Sequence, residues 1–161
     1  MNKKFIVPEC YFETFLINVL EFGNQDHKHG IGNVLNGLDN NYKNKLGIGI
    51  IDNDKNKPPK FQEYTNIKAE KDLSLFKHKE RNNYLIVIEP AIEKWLLNIL
   101  EDEALEITKF GLPNTLSKLT DITKKGNVHK NENIKTLLYT LKQKNVKSFQ
   151  TLTNWINEIK N

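Results

Sequence analysis

The sequence predicts an α/β fold in which a small, mostly parallel β-sheet is flanked by helices. Residues 46–51 form an apolar run without a charged residue, which is typical of a strand buried on both faces in a parallel sheet. The last third of the chain has apolar residues at helical spacing, which predicts helices packed on that sheet. With 161 residues the chain can bury one core. We therefore expect a single domain over 1–161, with its C-terminal helices at about 112–160.

The first third of the chain is predicted to be β-α-α-β, or β-α-β with an interrupted crossover. Residues 3–7 favour a strand, and helical spacing begins near Cys10 and again at Ile31. The apolar run then forms the second strand, which ends at Asp52. A right-handed connection would pair the two strands in parallel.

The middle of the chain has a weaker pattern. Residues 57–71 are polar and without a clear period, so no element is predicted there. Two β-favouring runs at 73–78 and 84–88 are separated by a short charged segment, which suits an antiparallel hairpin. A helix is expected from Glu89 and Pro90, because an acid and a proline are both favourable in a first helical turn.

Three helices are predicted in the last third of the chain. Apolar residues recur at helical spacing over 116–122, 134–141 and 149–159, and polar turns separate these segments. Ser148 is the expected N-cap of the last helix. We expect all three helices to pack against the sheet.

Composition narrows the cellular setting. The single cysteine, Cys10, has no partner for an internal disulfide, so a reducing cytoplasm is expected. No apolar run is long enough to cross a bilayer, and the first residues do not resemble a signal peptide. Lysine occurs throughout the chain, so the net charge of +4 does not by itself indicate an anionic partner.

Four carboxylates are expected to meet at one edge of the sheet. Glu9 follows the first strand, and Glu13 lies one helical turn further on. Asp52 and Asp54 end the buried strand. Because parallel strands end at the same edge, where open α/β sheets bind ligands, these acids would lie side by side. Crowded carboxylates need a cation, and a set of oxygen ligands favours Mg²⁺ or Mn²⁺ over zinc.

Simpler interpretations of these acids remain open. Acids are favourable near any helix N-terminus, and Asp is common in loops after strands. Glu89 and Glu93 repeat the spacing of the first pair after a later strand. They are either a second helix-start pattern or a further part of the site.

Three segments resemble the Toprim family. Residues 5–16, with Glu9 and Glu13, resemble the opening motif of Toprim domains, in which a strand leads to a glutamate and a helical acid follows four residues later. Residues 49–54 resemble the family's Asp-x-Asp motif at the end of a later strand. Residues 88–96 are similar to the Ile-Glu-x-x-Leu helix of OLD-type nucleases in this family. The resemblance implies a Toprim/Rossmann-like sheet over roughly the first hundred residues.

The resemblance also implies an activity, namely metal-dependent cleavage of phosphodiester bonds in nucleic acid. Asp52 and Asp54 would bind Mg²⁺ or Mn²⁺, and Glu9 would be a metal ligand or the general acid/base. Glu13 would bind a second metal or support the other ligands. The sequence departs from the family at Cys10, which replaces a glycine, and at Glu13, which replaces an aspartate.

Two further groups are candidates. His78 and Arg81 form a cationic group at a predicted strand end, suited to charge on a scissile phosphate, or else an exposed hairpin loop. Arg81 is the only arginine in the chain. His27 and His29 have the His-x-His spacing of a metal site but no third ligand at a fixed spacing, and contact with a phosphate is the better interpretation.

We therefore expect a stand-alone Toprim-like nuclease, with phage defence as the context that the resemblance suggests. The first alternative is a non-catalytic module of the same fold that binds nucleic acid or protein. The second is a phosphatase or phosphotransferase that uses Asp52 as its nucleophile. OLD-type nucleases work with an ATPase, but this sequence has no Gly-x-x-x-x-Gly-Lys-Ser/Thr loop, so an ATPase would be a separate protein partner.

Overall fold

The strands form an open sheet with helices on both faces. The computed structural model describes residues 3–53 and 56–161, which form five strands and six α-helices. The strands are β1 (Ile6–Pro8), β2 (Gly47–Asp52), β3 (Tyr64–Glu70), β4 (Leu73–His78) and β5 (Asn83–Ile88). The helices are α1 (Tyr11–Val19), α2 (Ile31–Asn41), α3 (Ile92–Asp102), α4 (Leu116–Thr123), α5 (Glu132–Gln143) and α6 (Lys147–Lys160). Short 3₁₀ helices span Pro59–Glu63, Ile107–Phe110 and Val128–Lys130.

The sheet is mixed, which corrects the expectation of a mostly parallel one. Its strand order is β1-β2-β5-β4-β3. The first three strands in this order are parallel, whereas β4 runs antiparallel to both β5 and β3. The connections on either side of β4 are too short for a parallel crossover, so they can only be hairpins. The hairpin between β4 and β5 confirms the prediction from the sequence.

Strand β3 was not expected from the sequence. It lies at the edge of the sheet and pairs only with β4 among the described strands. Most of its side chains are exposed, so neither face shows the apolar alternation by which a strand is recognised in a sequence.

Two apolar clusters lie on opposite faces of the sheet. Helix α2 packs on one face, where it meets residues such as Val7, Ile51 and Val87. The other helices share a larger cluster with Ile48 and Ile86 on the second face. This second cluster contains residues of α4, α5 and α6, so the C-terminal helices pack on the same core as the sheet.

Some predicted element boundaries shift in the structure. The helix expected from Glu89 begins at Ile92, after a cis Glu89–Pro90 peptide bond. The N-cap position of α6 is Val146 and not Ser148. None of the described helices has the length and apolar character needed to cross a membrane.

Glycines in β2 allow α2 to approach the sheet closely. A Cβ atom added at Gly47 would lie 2.8 Å from Cβ of Tyr42 and 2.8 Å from Cδ2 of Leu38. Tyr42 ends α2, and its Cβ atom cannot move without moving the backbone. The glycines of β2 therefore leave room for α2 on one face of the sheet, whereas Ile48 and Ile50 fill the apolar cluster on the other face.

We expect Gly47→Ala to lower the free energy of unfolding by about 1–3 kcal/mol, because overpacking forces the backbone apart. Gly32→Ala is the matched control, since nothing lies within 4 Å of a Cβ atom added in that helical position. Alanine there should be neutral or should stabilise by up to about 1 kcal/mol. Urea denaturation measures both values, and equal effects of the two variants would contradict the close approach of α2.

Candidate functional site

A cavity of about 700 Å³ opens at the edge where the parallel strands end. Asp52 is the last residue of β2, Glu9 follows β1, and both side chains line the cavity. The register places Pro8 beside Ile50 and Asp52 beside Ile88, so the three parallel strands do end together. This edge is where ligands bind in open α/β sheets.

Glu9 and Asp52 are joined through the main chain. The Oε2 atom of Glu9 accepts a hydrogen bond of 3.0 Å from the backbone N–H of Asp52. The Oδ1 atom of Asp52 in turn accepts one of 3.0 Å from the N–H of Ile92, the first residue of α3. Two carboxylates predicted from separate strands are thus brought together, and α3 is held against them.

Glu13 lies behind this pair and does not line the cavity. Its side chain is 0% exposed. Its Oε2 atom accepts hydrogen bonds from the N–H groups of Glu9 at 2.8 Å and Cys10 at 3.1 Å, which completes a capping box at the start of α1. The placement favours a supporting role for Glu13 over direct binding of a second metal.

The surroundings of Glu13 oppose its ionisation. Burial raises its pKa well above the usual value, and the negative charges of Asp52 and Glu9 raise it further. Its other oxygen, Oε1, is buried without a hydrogen-bond partner among the described residues, so no donor stabilises a negative charge there. Burial likewise raises the pKa of the Cys10 thiol, so this thiol is not a nucleophile at neutral pH.

The opposite wall of the cavity adds a further acid and two cations. Glu93 on α3 is buried, and its Oε1 atom accepts a hydrogen bond of 2.5 Å from the hydroxyl of Thr123 on α4. Lys94 and Lys124 also line the cavity, and both are exposed. The sequence left the role of Glu93 open, because its spacing does not predict that α3 packs against α4.

The donor chemistry of the cavity fits a hard cation in part. Carboxylate oxygens of Glu9 and Asp52 are ligands that Mg²⁺ prefers. Within residues 3–53 and 56–161, however, no group of three His, Cys, Asp or Glu side chains is arranged as a metal site. Asp54, which the sequence proposes as a ligand, lies outside the described residues, as does the neighbouring Lys55.

A cluster of three rings borders the cavity. Tyr11 stacks on His27 with ring centroids 4.7 Å apart, and His29 meets both rings edge to face. The Thr14 hydroxyl donates to the carbonyl of Cys10, so the Nδ1–H group of His27 donates to Thr14 at 2.8 Å. Burial and the nearby His29 lower the pKa of His27, which keeps it neutral.

Helix α2 begins beside these rings. Gly30 is its N-cap residue, lines the cavity and has a positive φ of 82°. No side chain among the described residues caps this helix, and N–H groups in an uncapped first turn are suited to binding an anion. The phosphate contact expected from the His27–His29 loop would lie at this helix start.

His78 and Arg81 do not join the carboxylates, which corrects their assignment to this site. Strand β4 is antiparallel to β5, with Leu73 beside Ile88 and Lys77 beside Tyr84. His78 therefore lies at the opposite end of the sheet from Asp52, about 17 Å along the strands. The sequence predicted the hairpin of β4 and β5 but not which of these two strands lies parallel to β2, and β5 takes that position.

The contacts of these two residues shape the hairpin. The Nδ1 atom of His78 accepts hydrogen bonds of 3.1 Å from the N–H groups of Glu80 and Arg81. Arg81 donates to Asp39 on α2, which Lys60 also contacts at 2.6 Å. Although burial opposes ionisation, hydrogen bonds from Lys60 and Arg81 hold the pKa of Asp39 below its usual value.

We expect Arg81→Ala to destabilise the fold by about 1–3 kcal/mol, because Asp39 loses the less exposed of its two cationic partners and keeps only Lys60. Cleavage of nucleic acid per folded molecule should stay at the wild-type level. Thermal unfolding measures the first effect and a nuclease assay the second. Loss of cleavage in a fully folded Arg81→Ala protein would show that Arg81 takes part in the reaction.

Comparisons with protein-family models, curated proteins and solved structures gave no match for this chain. Its class is therefore defined by its own fold and site. It is an α/β protein with a mixed, open five-stranded sheet over the described residues. Acidic side chains line a cavity at the edge where its parallel strands end.

Proposed function

We propose that this chain is a Toprim-like, Mg²⁺-dependent phosphodiesterase that acts on nucleic acid. One observation carries the proposal, namely the joined pair of Glu9 and Asp52 in a cavity with lysines on its wall. The order of the acids along the chain, first Glu9 and Glu13 and then Asp52, supports the Toprim-like assignment. Membership of that family and phage defence both remain part of the proposal.

The cavity separates two kinds of charge in a way that suits a phosphodiester. Carboxylates of Glu9 and Asp52 lie at the strand ends, whereas Lys94 and Lys124 lie on the helical wall. Neither lysine forms an ion pair with another residue in 3–53 or 56–161. They are thus available to bind phosphate oxygens that the carboxylates alone would repel.

The supporting contacts give each residue a defined task. A bound Mg²⁺ would supply Lewis-acid stabilisation of charge on the phosphate, with Glu9 and Asp52 as its ligands and Asp54 as a further candidate. Glu13 orients the segment that carries Glu9 through two backbone hydrogen bonds. Glu93, held by Thr123, is placed to accept a proton or to bind a second cation.

A metal-dependence assay tests the proposal. The purified chain is incubated with labelled single-stranded and double-stranded DNA and RNA in Mg²⁺, Mn²⁺, Ca²⁺ or EDTA. We expect cleavage with Mg²⁺ or Mn²⁺ and none in EDTA. Asp52→Asn protein prepared in parallel controls for contaminating nucleases. Equal cleavage by both proteins, or none with any metal, would exclude the proposed activity.

A non-catalytic binding module is the second candidate. The observation that favours it is that each acid near the cavity already accepts a hydrogen bond within the fold, including Asp52 from Ile92 and Glu93 from Thr123. Such contacts could serve to hold helices to the sheet. Titration calorimetry separates the two functions, since nucleic-acid affinity without measurable Mg²⁺ binding would favour the module.

A separate ATPase is proposed as a partner of the chain. The motive is the similarity of residues 88–96 to OLD-type nucleases together with the missing phosphate-binding loop. The neighbouring genes should be examined first for one that encodes an ATPase. An ATPase encoded there that binds the purified chain would support the partnership, and repeated absence of such a gene would weaken it.

A further inference from the structure

The ring cluster connects the acid-lined cavity with a second groove. His29 lines both the cavity at the strand ends and an open groove of about 380 Å³ along α2. Tyr11 lies on the cavity side of His29, and His27 lies on the groove side. The two depressions therefore form one path that runs across the rings.

Amide side chains form one wall of the groove, and Lys28 supplies a cation to its lining. Its helical wall consists of exposed asparagines that recur on one face of α2: Asn33, Asn36, Asn40 and Asn41. Gly37 lies among them without a side chain, and the stem of Lys28 passes within 3.3 Å of the Cβ position there. Amides donate and accept hydrogen bonds without a net charge, so they neither repel phosphate nor require its neutralisation.

We propose that this path binds single-stranded nucleic acid, with a base held against Tyr11 and His29 beside the scissile phosphate. The inference rests on the proposed function, because it places the reacting phosphate in the cavity of Glu9 and Asp52. Rings on a path of amides and cations are the features by which proteins hold unpaired strands. A base paired in a duplex cannot reach such rings, so an unpaired strand is favoured.

Three features agree with this path. Gly30 and the uncapped first turn of α2 lie between the cavity and the groove, where backbone N–H groups can bind a phosphate. Tyr11 and His29 are both exposed, and the Tyr11 hydroxyl lies 3.4 Å from Nε2 of His29. From Asn33 to Asn41 the helix rises about 12 Å, the length of roughly three stacked nucleotides.

Binding to a protein that cannot cleave tests the path separately from the chemistry. The Asp52→Asn protein is titrated in EDTA with fluorescein-labelled 12-nucleotide single-stranded DNA, the same RNA sequence, and blunt duplex DNA. Fluorescence anisotropy reports binding. Tyr11→Ala and His29→Ala are each added to this protein. Tyr139→Ala is the matched control, because Tyr139 on α5 is 40% exposed compared with 38% for Tyr11 and lines neither depression.

We expect single strands to bind more tightly than duplex. Tyr11→Ala and His29→Ala should each raise the Kd by roughly 5- to 150-fold, the range for loss of one stacked base. Tyr11→Phe, which keeps the ring, should recover most of the affinity that Tyr11→Ala loses, whereas Tyr139→Ala should leave the Kd unchanged. The DNA and RNA arms identify which strand is preferred.

The path is overturned if no strand binds, if duplex binds as tightly as single strands, or if the two alanine variants bind like the parent. Circular dichroism of each variant confirms that it is folded. If the wild type cleaves nucleic acid but the alanine variants bind like the parent, the binding path is wrong and the proposed nuclease activity stands. If binding depends on the rings but the wild type does not cleave, the binding path stands and the proposed nuclease activity is wrong.

Discussion

Replacing Asp52 with asparagine is expected to lower Mg²⁺-dependent cleavage by about 100- to 10,000-fold while leaving the fold intact. Loss of one charged ligand removes several kcal/mol of stabilisation from a metal-assisted transition state. The asparagine carbonyl can still accept the hydrogen bond from Ile92. The neutral amide also removes the Asp52 charge that opposes ionisation of the buried Glu13.

Single-turnover cleavage rates in Mg²⁺ measure this effect. The matched control is Asp102→Asn at the far end of α3, where the carboxylate is exposed and pairs with Lys71. That variant should cleave at the wild-type rate. Titration calorimetry should show weaker Mg²⁺ binding by Asp52→Asn only. A folded Asp52→Asn protein with wild-type rate and metal affinity would show that Asp52 is purely structural.

Substitution of Glu13 should have the largest effect on stability. Glu13→Ala removes the acceptor for the N–H groups of Glu9 and Cys10 at the start of α1. It also leaves space in a fully buried position. We expect the free energy of unfolding to fall by about 2–5 kcal/mol. Glu13→Gln keeps an acceptor oxygen of the same shape and should retain most of that stability.

The same residue should make the metal-free protein less stable as pH rises. Burial, followed by the charges of Asp52 and Glu9, raises the folded-state pKa of Glu13 above its ordinary value near 4.5. The folded chain then binds this proton more tightly than the unfolded chain does. Stability is therefore highest below the ordinary pKa and falls as pH rises toward the folded-state pKa. One proton contributes a slope of at most about 1.4 kcal/mol per pH unit.

Urea denaturation in EDTA across this pH range measures the slope. The groups that face Glu13 are Asp52 on β2, Glu9 after β1 and the Cys10 thiol, and they remain present in Glu13→Gln. We expect the downward slope in the wild type to be reduced in Glu13→Gln. An unchanged slope would mean that another group titrates, and a rising slope in the wild type would contradict a raised pKa.

Local sequence patterns were sufficient for most of the fold. Apolar spacing predicted the helices around Phe15, Trp95 and Trp155, because burial of one helical face repeats with the helical period. The short connection after His78 predicted an antiparallel hairpin, and the pairing of β4 with β5 confirms it. Strand β3 was missed because its exposed faces carry no such repeat.

The sequence predicted the part of the candidate site that lies at the ends of the parallel strands. Glu9 and Asp52 were expected to meet because parallel neighbouring strands end at one edge, and their side chains do line one cavity. Glu93 enters the same cavity through the packing of α3 on α4, which no spacing in the sequence specifies. Tyr11 and His29 meet because the loop before α2 runs along β1, where the N–H groups of Asp26 and Lys28 donate to carbonyls of that strand.

By itself the sequence determined the α/β class, the helical last third and the pair of acids at the strand ends, since these depend on periodicity and on residues that end an element. The tertiary structure determined that β5, and not β4, lies parallel to β2, and this arrangement places His78 and Arg81 at the far end of the sheet. It also decided that Glu13 is buried behind the pair. Strand direction and side-chain burial depend on contacts between distant segments, and local patterns carry little information about such contacts.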